Sequence, residues 1–198
     1  MLVKLTPDSK HPYAQKMSLN KTTKILLIAS SLWYFGEGLF GPLFAIYAEK
    51  IGGDLLDITW AWAAYLMATG IFYVIVGKFV NKSIYKKQVM IFGYGLNALL
   101  TFGYIFVHNT QQLFLIQIGL GMAEALSAPI WDSLYAHNLE DKGNTFHWSL
   151  ANGHPHFVSG IAIAIGGLIA NFVSFEALFI TMGIIQTLAT IIQAKILL

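Results

Sequence analysis

The sequence predicts an all-α membrane protein with six transmembrane helices and both termini in the cytoplasm. Three observations carry this. Of the 198 residues, 56% are hydrophobic and only 11% charged, whereas a soluble domain carries about 25% charged residues. The apolar residues gather into runs long enough to cross a bilayer, for which ~20 residues suffice. These runs lack the alternation that marks a transmembrane β-barrel strand. Finally, once the runs are numbered as spans, every lysine except Lys50 falls on one side, and an excess of basic residues marks the cytoplasmic side.

The elements follow in order. Residues 1–24 are polar, hold Lys4, Lys10, Lys16, Lys21 and Lys24, and read as a cytoplasmic tail ahead of a transmembrane domain over 25–198. The tail does not read as a signal peptide, because the apolar run after it is too long and no small-residue cleavage site follows. The first span, Ile25–Ala48, carries Glu37 at its centre among Gly36, Gly38, Gly41 and Pro42. An acid there costs roughly 2.5–3.5 kcal/mol on insertion scales, so a chain that keeps it is expected to use it. The second span, Ile58–Val80, leads into a loop rich in lysine. The third, Gln88–Val107, holds Asn97 midway.

The fourth span, Gln112–Ala136, places Glu124 near its middle, at the depth of Glu37 for a rise of about 1.5 Å per residue. Gln117, Glu124 and Ala128 share roughly one face, with Asp132 two turns deeper. Beside them runs a stripe of small residues, Gly119, Ala123 and Ser127, at a spacing that lets helices approach closely in lipid. The fifth span, Trp148–Val173, is interrupted early by His154, Pro155 and His156. A helix running from about Thr145 would bring His154 to the depth of Asp132 and His156 closer to Glu124. The sixth, Phe175–Leu197, shows Gln186, Thr190 and Gln193 on one face. That face reads as interhelical hydrogen-bonding glue or as a surface for another subunit.

Composition excludes several chemistries. The chain has no cysteine, hence no disulfide, thiolate metal site or cysteine nucleophile. Its basic residues are all lysine, which removes the guanidinium fork suited to phosphate and carboxylate clamps. A net charge of +2 gives no support for nucleic-acid binding. No HExxH, GxSxG or phosphate-loop motif is present, so no enzymatic reading has a motif behind it, and no cofactor is expected. An intramembrane metalloenzyme built on His147, His154 and His156 falls short of the four ligands of a closed zinc site. The tryptophans at 33, 60, 62, 131 and 148 read as packing or interfacial anchors. Glu37 and Glu124 read either as structural, hydrogen-bonded acids or as binding groups for a substrate or coupling proton. Asp132 with His154 or His156 would make a carboxylate–imidazole proton relay, since buried surroundings tune both groups.

The run GEGLFGPLFAIYAEKIGG, followed by a second span ending GKFVNKSIYKK, resembles the N-terminal half of a major facilitator superfamily transporter. Gly77, Asn81, Lys82, Lys86 and Lys87 fill positions comparable to the family's loop motif after the second helix, which implies a cytoplasmic gating loop. Asn81 stands where the family has an acid, the later glycine is missing, and the spacing is one residue longer. The run QIGLGMAEALSAPIWDSLYA is similar to the family's fourth helix, with Gly119, Gly121 and Pro129 in familiar places and Leu115 where an arginine is frequent. The fifth span holds Gly160, Gly166 and Gly167 but lacks the Gly-Pro of drug/proton antiporters, which disfavours that subclass.

The resemblance implies two inverted three-helix repeats forming one half of a twelve-helix architecture, with the first and fourth helices lining a central cavity. It implies a secondary transporter, or a subunit of one, that moves a small solute by alternating access with proton coupling. Two copies as a homodimer, or a second six-helix subunit, would supply the other half. The setting implied is the cell (inner) membrane. The reading from another class is a non-transporting membrane scaffold or accessory subunit.

Overall fold

The computed structural model describes residues 19–81, 83–139 and 145–198. Most of the expected tail, the gating-loop Lys82 and the loop Lys142 lie outside them. The first helix, α1 (Lys21–Phe40), begins inside the expected tail rather than at Ile25. Asn20 sets that start: its side chain accepts from the Thr23 amide at 2.8 Å, which satisfies one of the free N–H groups of a first turn. The same side chain donates to the Asn138 carbonyl at 2.8 Å, pinning the helix start to the far end of another helix.

α1 does not continue to Ala48. Pro42 has no N–H to offer the Gly38 carbonyl, so the helix stops and restarts as α2 (Leu43–Lys50). The first expected span is therefore carried by a 20-residue and an 8-residue helix joined at Gly41–Pro42. Beyond it come α3 (Leu55–Val80), opened by a reciprocal Asp54–Asp57 capping box, and α4 (Lys86–Gly103) with a 3₁₀ turn over Tyr104–Phe106. Next are α5 (Thr110–His137), α6 (Thr145–Phe172) and α7 (Phe175–Ala194). Pro155 sits inside α6 without ending it, so the His-Pro-His run does not interrupt the span. Among the described residues, five helical stretches, from α3 onward, are long and apolar enough to cross a membrane. This is an all-α, multi-pass membrane protein.

The packing repeats itself. α1 lies against α6 and α7, and α5 lies against α3 and α4, while α4 meets α7. Exchanging the first three helical units for the last three maps α1–α6 onto α5–α3, α1–α7 onto α5–α4, and α4–α7 onto itself. Close approach is enforced by glycine. At Gly166 of α6 a Cβ would run into the Leu39 backbone of α1, and at Gly121 of α5 it would lie 2.6 Å from the Tyr65 carbonyl of α3. These are equivalent helix pairs in the two halves.

Two buried clusters stack along the bundle. One joins Leu26, Trp33, Tyr94, Trp131 and Tyr135; the other joins Phe40, Phe44, Tyr47, Tyr104 and Phe179. Trp33 packs edge-on against Tyr94 at 4.6 Å, and Trp131 stacks on Tyr135 at 4.9 Å. Trp60 and Trp62 stay exposed at the start of α3. The polar face of α7 turns inward: Gln186 and Gln193 are fully buried, and Gln186 Nε2 donates to the Trp33 carbonyl at 3.0 Å. Gln186 therefore ties α7 to α1 as interhelical glue and does not present a surface to another subunit.

Candidate functional site

One cavity of about 350 Å³ collects side chains from α1, α3, α4, α5 and α6. Glu37, Glu124, Asp132, His154 and His156 all line it. Glu37 and Glu124 are half-buried, whereas Asp132 and His156 are exposed, so the first two acids lie deeper. α1 supplies Glu37 because Trp33, one turn earlier, faces the core and fixes the helix's rotation.

Glu124 is held by a hydroxyl cage on α3. Tyr65 Oη donates to Glu124 Oε2. Thr69 Oγ1 lies 3.4 Å from the same oxygen, and Tyr73 Oη lies 3.4 Å from Oε1. Positions 65, 69 and 73 are spaced by four residues and so stack on one helical face. The i, i+4 spacing is visible in the sequence, but it does not say which face of α3 turns toward Glu124, so this part of the site was not revealed by the motifs. Removing the closest donor should be felt directly. Tyr65→Phe is expected to lower thermal stability in detergent by about 1–3 kcal/mol, as for a lost hydrogen bond to a buried polar acid. A melting curve that matches the parent would show that the cage contributes nothing.

His154 bridges α6 to α1. Its Nδ1 lies 2.9 Å from the Leu150 carbonyl, which can only accept, so Nδ1 carries a proton. Its Nε2 lies 3.0 Å from Ser30 Oγ, and Ser30 Oγ in turn reaches the Leu27 carbonyl at 3.1 Å. The result is a continuous imidazole–hydroxyl connection across the cavity wall, to which Tyr34 adds an edge-on ring contact.

A second, smaller chamber of about 110 Å³ lies farther along α1. Glu37, Trp62, Asn97, Thr101 and Gln117 are among its lining, and among the described residues Glu37 alone lines both chambers. The large cavity takes Ser30 before Glu37 and Asp132 late in α5. The small one takes Phe44 after Glu37 and Gln117 early in α5. The two chambers therefore lie on opposite sides of Glu37 along the bundle axis. Asn97 is 1% exposed, and its Nδ2 has no hydrogen-bond partner among the described residues, a polar group in an otherwise largely apolar chamber. Beyond it Tyr47 Oη donates to the Tyr104 and Val107 carbonyls at 3.2 and 2.9 Å and closes the end of the bundle.

The loop-motif residues sit apart from both chambers. Gly77 is exposed near the end of α3, Asn81 follows that helix, and Lys86 and Lys87 open α4. Lys87 Nζ donates to the Ile196 carbonyl at 3.1 Å, which joins this loop to the end of the last span. Among the described residues, no group of three or more His, Asp or Glu side chains could hold a metal ion.

A two-fold repeated helical packing around an acid-lined cavity is a transporter geometry, and residues 26–198 match the family model of the Major Facilitator Superfamily. The chain belongs to this superfamily. Over 179 residues it is 26% identical to an uncharacterised MFS-type transporter of Methanocaldococcus jannaschii, covering 88% of this chain and 45% of that protein. It is 22% identical over 177 residues to the proton-coupled antiporter flippase LtaA of Staphylococcus saprophyticus, covering 86% of this chain and 44% of that protein. The MFS-type transporter YitZ of Bacillus subtilis is 20% identical over 166 residues, which are 82% of this chain and 98% of YitZ. The chain thus spans less than half the length of the first two relatives and nearly the whole of the third.

Proposed function

We propose that this chain is a secondary transporter, or the half of one, that moves a small solute across the membrane by alternating access coupled to protons. The observation that carries the reading is convergence. Five ionisable side chains from three helices, separated by up to 119 positions in sequence, line a single cavity. Ionisable groups inside membrane spans face bundle interiors or wet cavities and mark substrate and proton paths. Glu37 and Glu124 are the binding pair near the midplane, and Asp132, His154 and His156 are the relay toward the lysine-rich side. An acid-lined path also fits the similarity to LtaA, a proton-coupled antiporter flippase.

In this reading Ile25–Ala48 crosses the bilayer as a sixth, kinked span, and the chain is two inverted three-helix repeats. Both termini and the Gly77–Lys87 gating loop are cytoplasmic, with residues 1–24 as a tail before the transmembrane domain of 25–198, in the cell (inner) membrane. α3 and α6 leave most of their apolar surface uncovered, and a second six-helix wall fits there, from another copy or from a separate subunit. Native mass spectrometry from mild detergent is expected to find a homodimer or a one-to-one complex. A stable, partnerless monomer that still transports would remove the second wall.

The direct test is reconstitution into proteoliposomes with an imposed pH gradient. Solute flux that rises with the gradient supports the reading. Flux indifferent to pH would leave facilitated diffusion, and a chain that carries no flux but co-purifies with a larger complex would be an accessory subunit.

A further inference from the structure

An open groove of about 530 Å³ runs between the start of α1 and the end of α7, well away from the acid-lined cavity. Lys21, Lys24 and Lys195 line it together with Ile25, Ile28 and Ile192. None of the three ammonium groups makes an ion pair or hydrogen bond among the described residues, unlike that of Lys87, which reaches the Ile196 carbonyl. Ile28 is 53% exposed. The groove thus joins three ammonium groups, without an ion pair among the described residues, to an aliphatic floor completed by Leu198 at the end of the bundle.

We infer that this groove binds the headgroup and upper acyl chain of an anionic phospholipid. The ammonium groups of Lys21, Lys24 and Lys195 take the phosphate, and the isoleucines take the first methylenes of a chain that continues along the bundle surface. Basic pockets between transmembrane helices recognise anionic headgroups through this combination. Charge complementarity decides among occupants. By composition residues 1–18, with Lys4, Lys10 and Lys16 against Asp8, match a cationic groove poorly, and a second copy would bring the same lysines. A soluble phosphate would use the lysines and leave the isoleucines unused. This inference is independent of the transport reading, since neither Glu37 nor any other cavity acid takes part.

The test is native mass spectrometry of the purified chain in micelles containing equal dioleoylphosphatidylglycerol and dioleoylphosphatidylcholine. The phosphatidylglycerol adduct is expected to exceed the phosphatidylcholine adduct by about tenfold, in line with several lysines acting on one headgroup. The preference should vanish in Lys21→Gln/Lys24→Gln/Lys195→Gln and persist in Lys50→Gln/Lys78→Gln, a pair outside the groove. Glycerophosphoglycerol, the same headgroup without chains, should bind at least about tenfold more weakly than the lipid. Equal adducts of the two lipids, a preference that survives the triple variant, or chain-free headgroup binding as tight as lipid would each overturn the inference. So would phosphatidylglycerol binding that appears only after residues 2–18 are deleted, which would make that segment the occupant.

Discussion

Replacing Glu37 by glutamine is expected to abolish the response of transport to a proton gradient. Glutamine preserves the shape and hydrogen-bonding reach of the side chain but cannot take up or release a proton. Glu37 lines both the 350 Å³ cavity and the 110 Å³ chamber on its far side, so in the proposed mechanism a proton taken up from one side would be released to the other through it. A coupling free energy of about 1–3 kcal/mol corresponds to roughly 5–150-fold, and gradient-driven uptake should fall by that factor while gradient-independent exchange of solute persists. Proteoliposome uptake with and without an imposed pH step measures both. Glu124→Gln should affect solute binding as well, because the Tyr65, Thr69 and Tyr73 hydroxyls are arranged around that acid. Unchanged gradient-driven uptake in both variants would end the proton role.

The second large effect is structural. Gly166→Val is expected to destabilise the bundle by about 3 kcal/mol or more, beyond the usual cost of 1–3 kcal/mol for overpacking. The reason is that the obstacle is backbone. A Cβ at Gly166 would meet the Leu39 carbonyl directly, and a helix backbone cannot rotate aside as a side chain can. The whole of α6 would have to move from α1, which would also break the Ser30–His154 bridge. Gly167→Val is the control, since nothing lies within 4 Å of a Cβ there. Thermal unfolding of the purified proteins in the same detergent should separate the two, with Gly167→Val near the parent. Equal melting of both variants would mean that the α1–α6 approach is not tight.

Much of this molecule was legible in its sequence because membrane spans obey one strong rule, the internal satisfaction of every backbone group. Long apolar runs then announce helices, and the five stretches from Leu55 onward appear within a few residues of their expected limits. Within the first expected span, Ile25–Ala48, hydropathy does not register the break, because it does not see a missing N–H. Pro42 breaks the ladder without changing the apolar count. Pro155 shows the converse: a proline flanked by two histidines looked like an interruption, yet α6 carries it. The convergence of Glu37, Glu124, Asp132, His154 and His156 could be anticipated from helical depth alone. The Tyr65–Thr69–Tyr73 cage and the far chamber around Asn97 could not, because which face of α3 or α4 turns inward depends on packing between helices distant in sequence.

Because the chain contains no cysteine, alternating access can be tested without any background labelling. Ala128→Cys reports on the large cavity and Leu120→Cys on the chamber beyond Glu37. Each is exposed to a membrane-impermeant maleimide applied from one face or the other of sealed proteoliposomes. Transport through Glu37 predicts that position 128 labels from the lysine-rich side and position 120 from the opposite side. A pH step should raise the rate at one position while lowering it at the other. Labelling of both positions from the same face, or rates that rise and fall together, would contradict an alternating path through this acid.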